Sequence, residues 1–277
     1  NCVTTEEPPS EIGVLLASLA EAALASRPAV PLQPAPIDNE AAAFERAVDD
    51  VRTTLEVLDE GQWTRPAVNG LTVGELVGHL IGTQRLMAGE LEIGGRRSAS
   101  IDHIDSTRPE IVDGAGMSPR EAAEQFGVAS KLLTDHLTTL DDTGLDRESR
   151  FGAIVADVRF LLVVRIFELW THDNDLRAAV GLPRSEPDGD RVWMMTRTVM
   201  PVVRRISGDR LRIVLTGPGG GVWPAEGEEA GEIVADAIEF CRRIANRLPT
   251  ASLEAEITGD AQLAGALLDA LAGLALD

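Results

Sequence analysis

The chain has 277 residues, 44% of them hydrophobic, and a formal net charge of −20. That length and apolar share suit one large domain or two modest ones with a real core, while the negative field repels phosphate backbones and argues against nucleic-acid binding. No apolar run reaches the length of a membrane span, residues 11–26 are too broken by charge for a signal peptide and no basic segment precedes them, so the cytoplasm is the expected compartment.

In chain order, Glu11 to about Ser26 reads as a short helix with Leu15, Leu16 and Leu19 on one side. The prolines of Arg27–Pro36 then favour an extended linker. Cys2 and Cys241 lie far apart, with no CxxC spacing, and make no disulfide framework. Lys131 is the only lysine, and the bias toward arginine and alanine fits a GC-rich bacterial genome. A helix is predicted over Asn39–Leu58, where Phe44, Val48, Val51, Leu55 and Leu58 form a continuous stripe. Gly61 breaks it, and Trp63 and Pro66 follow in a loop.

The run Thr72-Val-Gly-Glu75 is a capping box and opens a helix to about Leu91 that carries His79 two turns in, among Val73, Leu76, Leu80 and Met87. Gly94 to Gly116 reads as a long polar connection with Arg96, Arg97 and a solvent-exposed His103. Ser118-Pro-Arg-Glu121 caps the next helix, which runs to about Leu140 with His136 at the edge of its apolar stripe. A further helix is expected over Ile154–Val180, closed by Gly181 and Pro183. Four amphipathic helices with loops between them suggest an antiparallel bundle, a fold that builds metal sites from facing helices.

After Pro183 comes a helix over Arg191–Ile206, and then the periodicity changes. Arg210–Thr216 is strand-like, Gly217-Pro-Gly-Gly-Gly221 is a turn rather than a phosphate loop, because no Gly-Lys-Ser/Thr follows, and Val222-Trp223 begins a returning strand. Glu232–Ala235 is a short strand leading into a helix over Asp236–Arg247 that holds Cys241 as a buried thiol. Leu253–Ile257 is another strand, and Gly259-Asp260 opens a last helix. The expected class is α+β: an N-terminal antiparallel four-helix bundle over 38–183 and a small α+β C-terminal domain over 184–277, after an extension over 1–37.

Glu168 and His172 stand four residues apart, so both project from one helix face, one turn apart. If that face meets His79, a His-Glu-His set forms with a coordination position left open, as in catalytic zinc sites. On the residues alone the pair also reads as a surface acid–imidazole pair, and His79 as a hydrogen-bonded core histidine.

Two segments bear on this choice: Leu71-Thr-Val-Gly-Glu-Leu-Val-Gly-His79-Leu and Glu168-Leu-Trp-Thr-His172-Asp-Asn-Asp-Leu-Arg177-Ala-Ala-Val-Gly181-Leu-Pro183. With Leu215–Trp223, Ala235–Arg242 and Ile257–Asp260, they resemble the mycothiol-dependent maleylpyruvate isomerase family of actinobacteria, itself similar to the DinB metal-binding bundles. The resemblance spans about residues 38–277. It implies a divalent metal, zinc by preference, held by His79, Glu168 and His172, with mycothiol binding near it and the C-terminal domain shaping the cleft. The chemistry of isomerase members is thiol addition to an activated double bond, rotation and elimination, and relatives are thiol S-transferases.

The expected partners are therefore a small-molecule thiol and an electrophilic substrate, with the chain a monomer or homodimer. Asp173 and Asp175 are candidates to orient a ligand imidazole. An anionic substrate needs a cation at the cleft, for which Arg85 and Arg242, with its neighbour Arg243, are the candidates. The alternative from another class is a non-catalytic metal-binding regulatory or scaffold protein on the same bundle.

Overall fold

Asn39 turns the chain into α1 (Glu40–Leu55): its side chain accepts the Ala42 N–H at 2.9 Å and satisfies one of the unpaired donors of the first turn. The structure is a computed structural model and describes residues 39–95, 97 and 102–275. The expected helix over Glu11–Ser26, the proline-rich stretch, Cys2 and Arg96 lie outside the described residues.

The central element is α2 (Val73–Glu90), buried along most of its length. Its capping box forms as expected: the Thr72 N–H donates to Glu75 at 2.7 Å, and the Glu75 N–H donates back to the Thr72 hydroxyl at 3.3 Å. Gly74, Gly78 and Gly82 recur every four residues and line one face of α2. Into that face packs a helix that the sequence reading took for a connection, α3 (His103–Gly116), capped by Asp102. The two backbones come so close that a Cβ at Gly78 would stand 2.1 Å from the Glu110 carbonyl oxygen, and one at Gly114 2.4 Å from that of Gly74. Trp63 closes the end of this contact by donating its indole N–H to the Gly114 carbonyl at 3.0 Å.

Next comes α4 (Pro119–Leu137), with Ser118 accepting the Glu121 N–H, followed by the short α5 (Asp142–Leu145). The sequence reading began the next helix at Ile154. Instead β1 (Glu148–Phe151) and β2 (Ile154–Asp157) pair as an antiparallel hairpin turning at Gly152. Asp157 then caps α6 (Val158–Val180), accepting the Phe160 N–H at 2.6 Å. Gly181, at φ +78°, ends α6 in the left-handed conformation expected of it.

The rest of the chain follows the expected pattern closely. α7 (Gly189–Ile206) leads to a four-stranded sheet of β3 (Leu211–Thr216), β4 (Gly221–Trp223), β5 (Gly231–Asp236) and β6 (Ala255–Gly259). The strand order is β4-β3-β5-β6, with β3 and β5 parallel and the outer pairs antiparallel. α8 (Ala237–Ile244) follows β5 directly, and α9 (Ala261–Ala270) follows β6. Cys241 is fully buried in α8, and burial pushes its thiol well above the ordinary value, which makes it unreactive. α7 packs on α6 and on α8, so one hydrophobic core runs from the helices into the sheet. Among the described residues no helix is long and apolar enough to cross a membrane.

Candidate metal centre

The stripe of α2 that carries His79 meets α6 where Glu168 and His172 stand one turn apart. One ligand atom from each of the three lies within 4.8 Å of the others, and all three side chains are buried. His79 has no exposed surface at all.

Each imidazole is held by its Nδ1. Thr107 Oγ1 stands 2.8 Å from His79 Nδ1, and the hydroxyl proton is already directed to the α3 carbonyls of His103 and Ile104, both at 3.1 Å. The hydroxyl therefore accepts from His79 Nδ1–H, and the lone pair of the neutral ring falls on Nε2. On the other side His172 Nδ1 is 3.0 Å from Asp175 Oδ2, and Arg247, just past α8, grips both Asp175 oxygens at 2.8 and 2.9 Å. This is the outer hydrogen bonding that fixes a metal-binding histidine, reached here through a residue of the C-terminal part. Burial pushes the carboxyl of Asp175 up, and the hydrogen bonds from His172 and Arg247 more than reverse this, leaving it below its usual value. Asp173, the other sequence candidate, points elsewhere. It takes Ser185 Oγ at 2.7 Å, Arg177 Nε at 2.8 Å and the Thr54 hydroxyl. Burial outweighs these bonds and raises its carboxyl.

Glu168 has a partner that sequence reasoning missed. Arg165, one turn back on α6 and wholly buried, pairs with Glu168 Oε2 and donates to Thr83 Oγ1 at 2.8 Å, with its guanidinium 5.1 Å from the centre of the Phe151 ring. The signal was present as an Arg-x-x-Glu spacing, but that spacing reads as a solvated pair unless the helix is known to be buried on that side. Burial alone would raise the Glu168 carboxyl. The adjacent Arg165 guanidinium overcomes that and holds it well below the usual carboxylate range.

Glu168 Oε1 is left facing His79 Nε2 at 3.1 Å. Burial pushes the His79 imidazole down to about 4, against the pull of Glu168, so it is neutral near pH 7. Two lone-pair atoms then face each other in a buried site, an arrangement that calls for a shared cation. The donor set of two imidazoles and one carboxylate suits a divalent metal of zinc's class.

The remaining candidates divide. His103 is not the exposed loop residue expected from the sequence: it opens α3, its ring is 5.5 Å from that of His79 and 5.8 Å from Phe151, and it lines the cavity above the donor set. His136 sits half-buried in the last turn of α4, where burial lowers its value, and takes no part. Arg85 turns toward α4, donating to Gln125 at 2.9 Å and lying 3.8 Å from Glu110. Arg242 pairs with Glu239, and Arg243 ties down the end of α9 through the carbonyls of Leu268 and Asp269. None of these three arginines lines the cavity. That cavity, about 220 Å³, is floored by Glu168 and His172 and walled by α6, α7 and the residues after α8 and α9.

Residues 44–177 match the model of the protein family described as "Mycothiol maleylpyruvate isomerase N-terminal domain". Two solved structures share the fold. The crystal structure of the mycothiol-dependent maleylpyruvate isomerase aligns over 80% of this chain and 93% of its own, at 15% identity and a TM-score of 0.57. A histidine-to-alanine mutant of that isomerase aligns over the same shares at 14% identity and a TM-score of 0.59. No curated protein matches the sequence.

Proposed function

From the premise that the chain belongs, through residues 44–177, to the mycothiol maleylpyruvate isomerase family, we propose that it is a zinc-dependent enzyme that uses a low-molecular-weight thiol, mycothiol, to isomerise a small electrophile or transfer sulfur to it. His79, Glu168 and His172 are the metal ligands in this reading. Residues 38–183 carry them, and residues 184–277 complete the cavity wall and brace His172 through Arg247.

The observation that carries the reading is the buried His79–Glu168 contact, two acceptors at 3.1 Å with the far side of each donor already committed, at the floor of a cavity. Zinc, when bound there, lowers the pKa of a thiol that reaches it, so that sulfur is nucleophilic at neutral pH. The chain's own residues supply the rest. Thr107 and Asp175 hold the two imidazoles in the tautomer that presents Nε2. Arg165 holds Glu168 ionised, and the apolar walls exclude water from the reacting atoms. In the isomerase version, sulfur adds to one alkene carbon and the electron pair moves to the conjugated carbonyl. Rotation follows about the new single bond, and return of the pair expels the same thiolate, so the thiol is regenerated.

The test is turnover of unsaturated carbonyl compounds by zinc-loaded protein with and without mycothiol, beside Glu168→Gln and His172→Ala. Mycothiol-dependent turnover that falls with metal content in both variants is expected. Full metal occupancy with no turnover of any thiol–electrophile pair would favour a non-catalytic scaffold instead.

A further inference from the structure

The walls of the cavity carry information about the electrophile beyond its reactivity. Its floor holds Glu168 and His172, with His103 at one side. Above them the lining is mostly apolar, from Phe160, Val164 and Phe167 on α6 to Val199 and Val202 on α7 and Leu274 beyond α9, interrupted by Thr198 and by Thr171, whose hydroxyl donates to the Phe167 carbonyl. No lysine or arginine is among the described residues that line it. Arg165, the cation behind the floor, has no exposed surface and is committed to Glu168 and Thr83. Arg184, Arg242 and Arg247 line a neighbouring pocket that shares only Thr171 and Ala245 with this one.

A carboxylate placed among these walls would lose its hydration and meet no lysine or arginine to offset the loss, a cost that a neutral group of the same shape escapes. An apolar cavity of about 150 Å³ is enough to take benzene, and this one is about 220 Å³. We infer that the part of the electrophile remote from its reacting atoms is an uncharged aryl or alkyl group of about six to ten carbons. The cavity thereby selects against dicarboxylates such as maleylpyruvate. The inference rests on the metal-and-thiol reading for what the bound molecule is used for, but not for whether it binds.

The test is a calorimetric titration of the full chain with 4-phenylbutanamide and 4-phenylbutyrate, which differ little except in charge. The deciding comparison uses chelator-treated protein whose folding is verified by circular dichroism, so that no metal attracts the carboxylate. Metal content is measured separately, so failure of the zinc reading leaves this result interpretable. The amide is expected to bind at least about tenfold tighter, a difference of about 1.4 kcal/mol. Val199→Trp should remove that binding by filling the cavity. Val202→Arg, at a position 44% exposed on the rim and safe for folding, should cut the amide's advantage about fivefold or more by supplying the missing cation. Equal or tighter binding of the butyrate, or amide binding that survives Val199→Trp unchanged, would overturn the inference.

Discussion

Replacing Arg165 by methionine probes the electrostatics of the site more sharply than replacing a ligand. The guanidinium has no exposed surface, and the carboxylate it neutralises is only 8% exposed. Methionine keeps an unbranched chain of similar reach against Phe151 but leaves Glu168 ionised with His79 as its remaining partner. Thr83 loses a donor but still donates to the Leu80 carbonyl at 2.9 Å, so it is not stranded. Breaking a buried pair from one side costs about 3–5 kcal/mol, most of it the stranded charge. Arg165→Met should lose that much stability in guanidinium unfolding of chelated protein. The double variant with Glu168→Gln, which buries no charge, should lose under about 2 kcal/mol, so the two effects couple strongly. Added zinc should stabilise Arg165→Met more than the wild type, because a cation then takes the place of the guanidinium. A loss below about 1 kcal/mol, or single losses that simply add in the double variant, would refute the assignment of Arg165 as the charge that holds Glu168.

Four further outcomes follow from the geometry. Gly78→Ala drives a Cβ into the Glu110 backbone, where no side chain can yield, so it should cost about 1–3 kcal/mol or more and, by displacing Thr107 on α3, weaken zinc. Gly127→Ala, in α4 with nothing within 4 Å of the new Cβ, should be neutral or slightly stabilising in the same melts. Asp175→Asn should lower zinc affinity about 10–100-fold in competition with a chelator while the far-ultraviolet dichroism is unchanged; undiminished affinity would separate Asp175 from the centre. Asp188 caps α7 and pairs with Arg46 and Arg191. Burial raises its carboxyl and these contacts lower it more, so its folded value is depressed. Its contribution is therefore full above the unfolded carboxylate range and is lost as pH falls through the lowered folded value. The stability gap between wild type and Asp188→Asn, which retains a cap, should be widest near neutrality and close in acid.

Much of this architecture was legible in the residues because local chemistry and long-range packing agree there. Asn39, Thr72 and Ser118 cap helices whose apolar stripes repeat at helical spacing, and the strands around the Gly217–Gly221 turn alternate as a half-buried sheet does. α3 escaped notice because its buried face is mostly Ser106, Thr107, Glu110 and Gly114, with Ile111 as its single aliphatic residue. Its trace lay in the partner: Gly74, Gly78 and Gly82 at intervals of four on a helix leave a face that only another backbone can fill. The β1–β2 hairpin was absorbed into α6 because Ile154 and Val155 continue the apolar run of that helix, and only the pairing across Gly152 separates them. Of the site, helix periodicity put Glu168 and His172 on one face, while the meeting of that face with His79 was implied by the family resemblance. Arg165, Thr107 and Arg247 could not be assigned to it, since each comes to the centre through a burial or a long-range contact that a one-dimensional pattern does not encode. Arg85 and Arg242, chosen as free cations near the cleft, are drawn to Gln125 and Glu239 outside the cavity lining.

Metal content by mass spectrometry, on untagged wild type and on His79→Ala, bears most directly on the central claim that the buried donor set holds zinc. The account predicts close to one zinc per wild-type chain and its loss in His79→Ala with the helical dichroism preserved. A wild-type protein that stays metal-free after zinc is added back, or a His79→Ala variant that keeps its full complement, would contradict it.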